Sequence, residues 1–173
     1  MSAAAAAIEG RGEGYRESLT ERMGRAPLPV EEALRYAVRI ATCLRDLHRQ
    51  RLVYGAVSSQ SILLGPAGAS FRNDGGRAKL GDRHPDVAGF GAVLGEMCRR
   101  VVGPEALRER LDALAMHCQE ETADMQNVLI ALRLLALLER QSAVVARRPV
   151  LRAKVARKWT LLANIAAFAM WGK

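Results

Sequence analysis

A chain of 173 residues, half of them hydrophobic, corresponds to about one domain and is not compositionally disordered. Because only 5% of the residues are aromatic, the core must consist mainly of Leu, Val, Ala and Met, which favours helices over a β-sandwich. Seven charges of the net +8 lie in residues 143–173, and the remaining +1 does not give the body the basic surface typical of nucleic-acid binding.

The first predicted elements are two helices. Residues 19–23 fit a short helix that ends at Gly24, because two prolines follow soon afterwards. Residues 30–48 carry apolar side chains at helical spacing, which predicts a longer helix with one buried face. A β-like segment follows, with short strand candidates at residues 52–54 and 61–64.

The second half of the chain predicts further helices. Residues 65–81 contain a glycine-rich turn and one more strand candidate. Apolar residues at helical spacing then predict a helix from Val87 to the break at Gly103 and Pro104. Two more helices, at residues 105–118 and 123–140, complete a body suited to a helical core.

Two local patterns resemble sites but are better explained by packing. Gly89, Gly91 and Gly95 lie inside a helical pattern rather than after a strand, so we interpret them as helix-packing positions and not as a nucleotide-binding loop. The cysteines are too far apart in sequence for a CxxC metal site, and we expect buried reduced thiols. They are Cys43, Cys98 and Cys118.

Residues 47–64 resemble, in outline, the catalytic loop of the protein kinase family. In that family a Leu-His pair ends a long helix, and a short strand leads into His-Arg-Asp, a Lys, an Asn and Ile-Leu-Leu. Leu47, His48 and residues 62–64 match this order. The family's chemical positions hold other residues: Tyr54, Gly55 and Ala56 for His-Arg-Asp, Ser58 for the Lys and Ser61 for the Asn. Since that Asp accepts the substrate proton and that Asn holds magnesium, the resemblance implies a loop without catalytic residues.

Motifs on both sides of the loop extend the resemblance to the large lobe of bacterial serine/threonine kinases. Parts of residues 8–34 look like the hinge and first large-lobe helices, and residues 78–82 look like the strand that delivers the Asp of Asp-Phe-Gly. Residues 86–97 resemble the family's Asp-Val-Trp-Ser-Phe-Gly helix. Only three residues separate Asp82 from Asp86, so we expect the activation segment to be deleted. Only seven residues precede residue 8, so we expect no small lobe.

Asp82 is the one candidate for a metal-binding residue. The resemblance gives it the role of a magnesium ligand, but a single carboxylate without an adequate partner at Ser61 makes a weak site. The alternative, which we favour, is a turn residue or helix cap ahead of Pro85. We therefore expect no catalytic residue and no bound cofactor.

The C-terminal segment combines basic and apolar residues. Its basic residues and the tryptophan that follows them are Arg147, Arg148, Arg152, Lys154, Arg157, Lys158 and Trp159. As a helix, the apolar residues 159–171 span roughly 20 Å, against about 30 Å of bilayer hydrocarbon, so we do not expect a complete crossing. This composition is typical of contact with an anionic membrane surface. The alternative is a helix that docks on its own domain or on a partner.

These observations together predict a mainly α fold: a helical, protein-kinase-like large lobe with one or two short β-hairpin strands. We assign residues 1–14 to a flexible hinge remnant and 15–140 to the truncated lobe. Residues 141–158 are predicted to form a basic linker, and 159–173 an apolar helix with membrane contact.

The predicted function is that of a catalytically inactive, kinase-like (pseudokinase) module in protein interaction or regulation, with an unidentified protein partner. We expect it in the cytoplasm, with its tail at the inner face of the cell membrane. Two alternatives stay open. One is residual ATP binding or phosphotransferase activity, alone or with a partner small lobe. The other is a membrane-surface protein, or a degenerate remnant without selected activity.

Overall fold

Helices make up most of the chain that the computed structural model describes, which comprises residues 17–66, 68–72 and 79–146. The described elements are, in chain order, β1 (Glu17–Ser18), α1 (Leu19–Arg25), β2 (Leu28–Pro29), α2 (Val30–Arg49), β3 (Leu52–Val53), β4 (Ile62–Gly65), β5 (Gly68–Phe71), β6 (Lys79–Leu80), α3 (His84–Cys98), β7 (Val101–Val102), α4 (Glu105–His117) and α5 (Met125–Ala146). The mainly helical class expected from the sequence is therefore confirmed. Within these residues no helix is both long enough and apolar enough to cross a membrane.

A capping box starts α1. The Ser18 hydroxyl accepts the backbone N–H of Glu21 at 3.2 Å, and the Glu21 carboxylate accepts the backbone N–H of Ser18 at 2.7 Å. The Ser18 hydroxyl also donates to the Glu21 carboxylate at 2.9 Å, and the two hydrogen bonds that this carboxylate accepts from Ser18 lower the pKa of Glu21. The helix continues to Arg25, two residues beyond its predicted end at Met23, and the extended backbone of Ala26 then ends it.

The two longest helices form the centre of the core. α2 presents a continuous apolar face, and α5 packs along it. α4 packs along α3 in the same way. Leu44 of α2, Phe90 of α3 and Leu132 of α5 are fully buried, and the side chains around them belong to one hydrophobic cluster. Apolar burial of this kind, rather than intrinsic helix propensity, is what holds such helices in place.

Within the described residues, three small sheets connect the helices. β1, β4 and β5 form an antiparallel sheet in that order, β3 pairs antiparallel with β6, and β2 pairs parallel with β7. The strand β5 lies inside the predicted glycine-rich turn, so the prediction of a turn through residues 65–76 was wrong in part. The pairing of Ile62 with Phe71 buries both side chains, and this long-range contact overrides the turn propensity of Gly and Ser.

The helix predicted from Val87 to Gly103 ends earlier than expected. α3 stops at Cys98, and Val101 enters β7 instead. The backbone N–H of Leu28 donates to the Arg100 carbonyl at 2.8 Å, so pairing with β2 draws the chain out of the helix. A β-branched valine pair suits such a strand.

The last helix, in contrast, is longer than predicted. α5 runs to Ala146, so residues 141–146, assigned to a basic linker, are helical. No helix-breaking residue follows Arg140 before Pro149, and the Ser142 hydroxyl donates to the Leu138 carbonyl within the helix. The rest of the predicted linker, the apolar segment 159–173 and the hinge remnant 1–14 lie outside the described residues.

Candidate functional site

One buried carboxylate organises the loop that resembles a kinase catalytic loop. Asp86 lies in the first turn of α3 and is 1% exposed. Its Oδ1 accepts the backbone N–H of Gly55 at 2.7 Å, and its Oδ2 accepts the backbone N–H of Tyr54 at 2.7 Å. The Nε2 of His48, at the end of α2, lies 3.0 Å from the same Oδ2. Because a carboxylate oxygen accepts, Nε2 carries the proton in this contact.

This arrangement, which we call the Asp86 node, joins three separate parts of the chain. Its partners are 31, 32 and 38 residues away from Asp86 in sequence. A buried carboxylate is stable only when hydrogen bonds replace the water it has lost, and two backbone donors and an imidazole do so here. The node therefore fixes the start of the loop against the ends of α2 and α3.

The contact between His48 and Asp86 was not predicted from the sequence, although both residues belong to the segments that resemble the kinase motifs. The signal that was missed is their position on apolar faces. His48 follows Leu44 by one helical turn, and Asp86 precedes the buried Phe90 by one turn. A polar residue on a buried helix face requires a partner, so two such residues on neighbouring helices indicate a pair.

Ser58 and Ser61, which occupy the positions compared above with a Lys and an Asn of the kinase motif, bond to each other across a turn. The Ser61 hydroxyl accepts the Ser58 N–H at 3.0 Å and donates to the Ser58 carbonyl at 2.9 Å. The Ser58 hydroxyl accepts the Ser61 N–H at 3.3 Å. Both hydroxyls therefore have local structural partners of the kind that serines make in turns.

Ser59 anchors the loop to α1. Its hydroxyl oxygen accepts a hydrogen bond from the Thr20 hydroxyl at 2.8 Å, and its carbonyl accepts one from the Thr20 N–H at 3.3 Å. The side chain of Ser59 is buried, unlike its neighbours Ser58 and Gln60. The loop is thus held at both ends, by the Asp86 node at one side and by α1 at the other.

Tyr54 turns its ring toward the β-hairpin. The ring lies on Phe71 of β5, with 4.3 Å between ring centroids, and its hydroxyl donates to the Arg72 carbonyl at 3.2 Å. Such tilted aromatic contacts stabilise by more than their buried area alone. Gly55 follows at a φ of +86°, a conformation that favours glycine, and Ala56 is exposed.

Asp82 lies at the turn that leads into α3. Its Oδ1 accepts the backbone N–H of His84 at 3.0 Å, and its side chain is exposed. This contact with the N–H two residues later is that of an Asx turn, and Asp82 precedes the N-cap residue Arg83, which makes no side-chain capping hydrogen bond. The described residues contain no group of three or more His, Cys, Asp or Glu side chains arranged to hold a metal ion.

The glycines of α3 allow close contact with neighbouring elements. A Cβ added at Gly89 would lie 3.0 Å from the Val57 carbonyl in the loop, and one at Gly91 would lie 2.6 Å from the Cβ of Cys118. The packing role predicted for these two positions is confirmed. Gly95 differs, because its nearest neighbours are 4.0 Å away.

The three thiols are buried, as the sequence predicted. Burial raises the pKa of Cys98 to about 11 and the pKa of Cys118 to about 12, and it also raises the pKa of Cys43. A thiol in this state is protonated at neutral pH and is a poor nucleophile. The cysteines therefore belong to the core.

A groove of about 330 Å³ lies elsewhere on the surface, between α1 and β7. Arg25, Arg99 and Arg100 line it, and none of residues 54–61 does. Arg25 lies in the last turn of α1, Arg99 is the C-cap of α3 and Arg100 follows it, so all three are close to free helix carbonyls whose partial negative charge cations balance. These arginines thus have a structural explanation, and the loop remains the candidate site. Against models of known protein families, no family model matches this chain.

Proposed function

We propose that this chain is a kinase-like large-lobe module that binds a protein partner instead of transferring phosphate, and that its basic and apolar tail tethers it to an anionic membrane surface. The observation that carries the proposal is the Asp86 node. It holds in a fixed conformation a loop that matches a kinase catalytic loop in outline and lacks its acid–base and metal-binding residues.

The chemistry of the loop supports binding over catalysis. The hydroxyls of Ser58, Ser59 and Ser61 are all engaged in structural hydrogen bonds, and none of these bonds is to a described side chain that could act as a base. Ala56 cannot accept a substrate proton. Phosphoryl transfer depends almost entirely on positioned metal ions and charged residues, which these positions do not supply.

The geometry of the loop also suits a binding surface. Gly55, Ala56, Ser58 and Gln60 are exposed, while the hydrogen bonds behind them hold the backbone. A surface that is already ordered loses little conformational entropy when a partner binds. We therefore propose the exposed side of residues 55–60 as the contact.

Adding ATP with magnesium is expected to leave the melting temperature of the protein unchanged, because the loop lacks the lysine and asparagine of the family's motif and the described residues contain no cluster suited to a metal ion. Differential scanning fluorimetry on the full chain measures this directly. A shift of several degrees that Asp82→Ala abolishes would contradict the proposal and favour residual nucleotide binding.

Ala56→Asp is the matched variant for this measurement, since it restores the family's acidic residue at an exposed position. We expect it to fold like the wild type, because surface substitutions usually change stability by only about 0.5 kcal/mol. It should show no phosphotransfer and no ATP-dependent shift. Activity gained by this one change would overturn the view that the loop is structural.

Placing a large side chain on the loop should interrupt partner binding. The protein is incubated with a lysate of its native host and chemically cross-linked, and the partner is then captured with it. Compared with the wild type, Ala56→Arg is expected to reduce the amount of the main captured partner by about tenfold, because the arginine clashes at the centre of the interface. Ala113→Arg is the control, because Ala113 is also an exposed alanine but lies on α4. Equal capture by both variants would place the contact elsewhere.

A further inference from the structure

The outer face of α5 carries an exposed apolar stripe, consisting of Ile130, Leu134, Leu137 and Val144. These side chains are between 40% and 57% exposed. At about 100° per residue they fall within an arc of about 80°, and the stripe is about 21 Å long. One exposed polar residue, Gln141, lies within the same arc, between Leu137 and Val144. The buried residues of α5, such as Leu132 and Leu135, lie on the opposite side, so the core does not need the stripe.

The charges beside the stripe have one sign. Arg133 and Arg140 are exposed and lie along one edge of it, at roughly 60–80° from its centre. Glu139 lies on the opposite side of the helix and is half-buried. An apolar helix face with arginines along its edge is suited to an anionic membrane surface, because the acyl chains are apolar and the headgroups carry negative charge.

The sequence beyond α5 continues the same chemistry. Residues 147–158 contain six basic and no acidic residues, and residues 159–171 are apolar with a tryptophan at each end. Tryptophan and arginine are both typical of the membrane–water interface. The stripe is therefore next in sequence to the segment for which we propose a membrane tether.

We propose that the outer face of α5 lies against an anionic lipid surface, with the stripe at the boundary of headgroups and acyl chains and with Arg133 and Arg140 on lipid phosphates. This proposal rests on the membrane tether of the proposed function, and it adds that the folded body itself contacts the membrane. Among the described residues, the hydrogen bonds from residues 54–61 to helices run to α1 and α3 and not to α5, so the loop stays free for a protein partner.

A second copy of the chain is a poorer occupant of this face. When two copies pack antiparallel with their stripes in register, Arg133 and Arg140 of both chains lie on the same side of the seam, and such like charges disfavour association. The exposed residues Glu120, Glu121 and Asp124 precede the start of α5 and are repelled by anionic lipid. Contact is therefore strongest toward Val144.

Flotation of the full chain with vesicles of phosphatidylcholine, alone or mixed with phosphatidylserine, tests the proposal. Wild type should bind the mixed vesicles. The double variant Leu134→Gln and Leu137→Gln should bind about tenfold less, because two apolar side chains no longer enter the interface. Met116→Gln is the control, since Met116 is 69% exposed on α4, and it should bind like the wild type.

The double variant Arg133→Gln and Arg140→Gln tests whether these two charges contribute to lipid binding. This variant should lose binding to the serine-lipid vesicles by about tenfold at low salt, in the range expected for two cations near an anionic surface. Its melting temperature should match that of the wild type, which separates lost binding from lost folding. An unchanged affinity of both double variants would overturn the role of α5.

A tail variant with its six basic residues at positions 147–158 changed to Gln distinguishes the two proposals. If it loses all binding while the leucine variant binds like the wild type, the tether stands and the α5 proposal fails. If the wild type binds neither vesicle, both fail. If the wild type is a dimer in lipid-free buffer and the leucine variant is a monomer, the stripe is a subunit interface and the α5 proposal is again overturned.

Discussion

Replacing Asp86 with alanine is expected to lower the free energy of unfolding by about 3–5 kcal/mol, because it leaves a buried imidazole and two partly buried backbone N–H groups without their acceptor. Asp86→Asn should also be strongly destabilising, since an amide offers one acceptor oxygen where the carboxylate offers two. Denaturant unfolding of the full chain measures both values.

The matched control is Asp82→Ala, four residues earlier. That carboxylate is exposed and accepts one backbone N–H, so its loss should cost about 1 kcal/mol, the usual net contribution of a single hydrogen bond. A double-mutant cycle with His48→Ala should show coupling between His48 and Asp86, since the two side chains are in direct contact. A loss of stability at Asp86 no greater than at Asp82 would refute the node.

Amide hydrogen exchange locates the effect. In the wild type, the N–H groups of Tyr54 and Gly55 should exchange slowly for loop residues, because each donates to the buried carboxylate. In Asp86→Ala the exchange rates of both N–H groups should increase over their wild-type values by more than those of amides in the centre of α2. That result would connect the stability of the node to the order of the loop on which the proposed function depends.

The helices could be predicted from the sequence because each one carries its signal locally. The apolar face of α2 recurs every turn, and the predicted range 30–48 differs from the observed helix by one residue. β5 and β7 were not predicted, because a strand of two to four residues is defined by its partner. Phe71 pairs with Ile62, and Val101 pairs with Leu28, which is 73 positions away in sequence.

The sequence identified the residues of the candidate site but not the hydrogen bonds that hold them in place. Tyr54, Gly55 and Ala56 were identified by comparison with a motif, and that comparison indicates which chemistry is missing. It does not indicate what holds the loop. The contacts of Asp86 depend on the ends of α2 and α3 meeting, which is a property of tertiary packing and not of any one segment.

Gly91→Ala is expected to destabilise the protein although it replaces glycine with the best helix former. The added Cβ would lie 2.6 Å from the Cβ of Cys118 and 2.8 Å from the Ala115 carbonyl, both closer than atoms pack. Neither atom can rotate away, because one is attached directly to the backbone and the other is part of it. α3 and α4 must therefore separate, and overpacking of this kind costs about 1–3 kcal/mol.

Gly95→Ala, one turn later in the same helix, is the control, and we expect it to change the stability in the opposite direction. Its nearest neighbours are 4.0 Å from the added Cβ, so the gain in helix propensity of up to about 1 kcal/mol should remain. Thermal unfolding should then give a lower melting temperature for Gly91→Ala and an equal or higher one for Gly95→Ala. If both changes act in the same direction, contact between α3 and α4 is not what requires glycine at position 91. Because Asp86 stands at the start of α3, a shift of this helix should also speed amide exchange at Tyr54 and Gly55, so the same variant tests whether helix packing controls the loop.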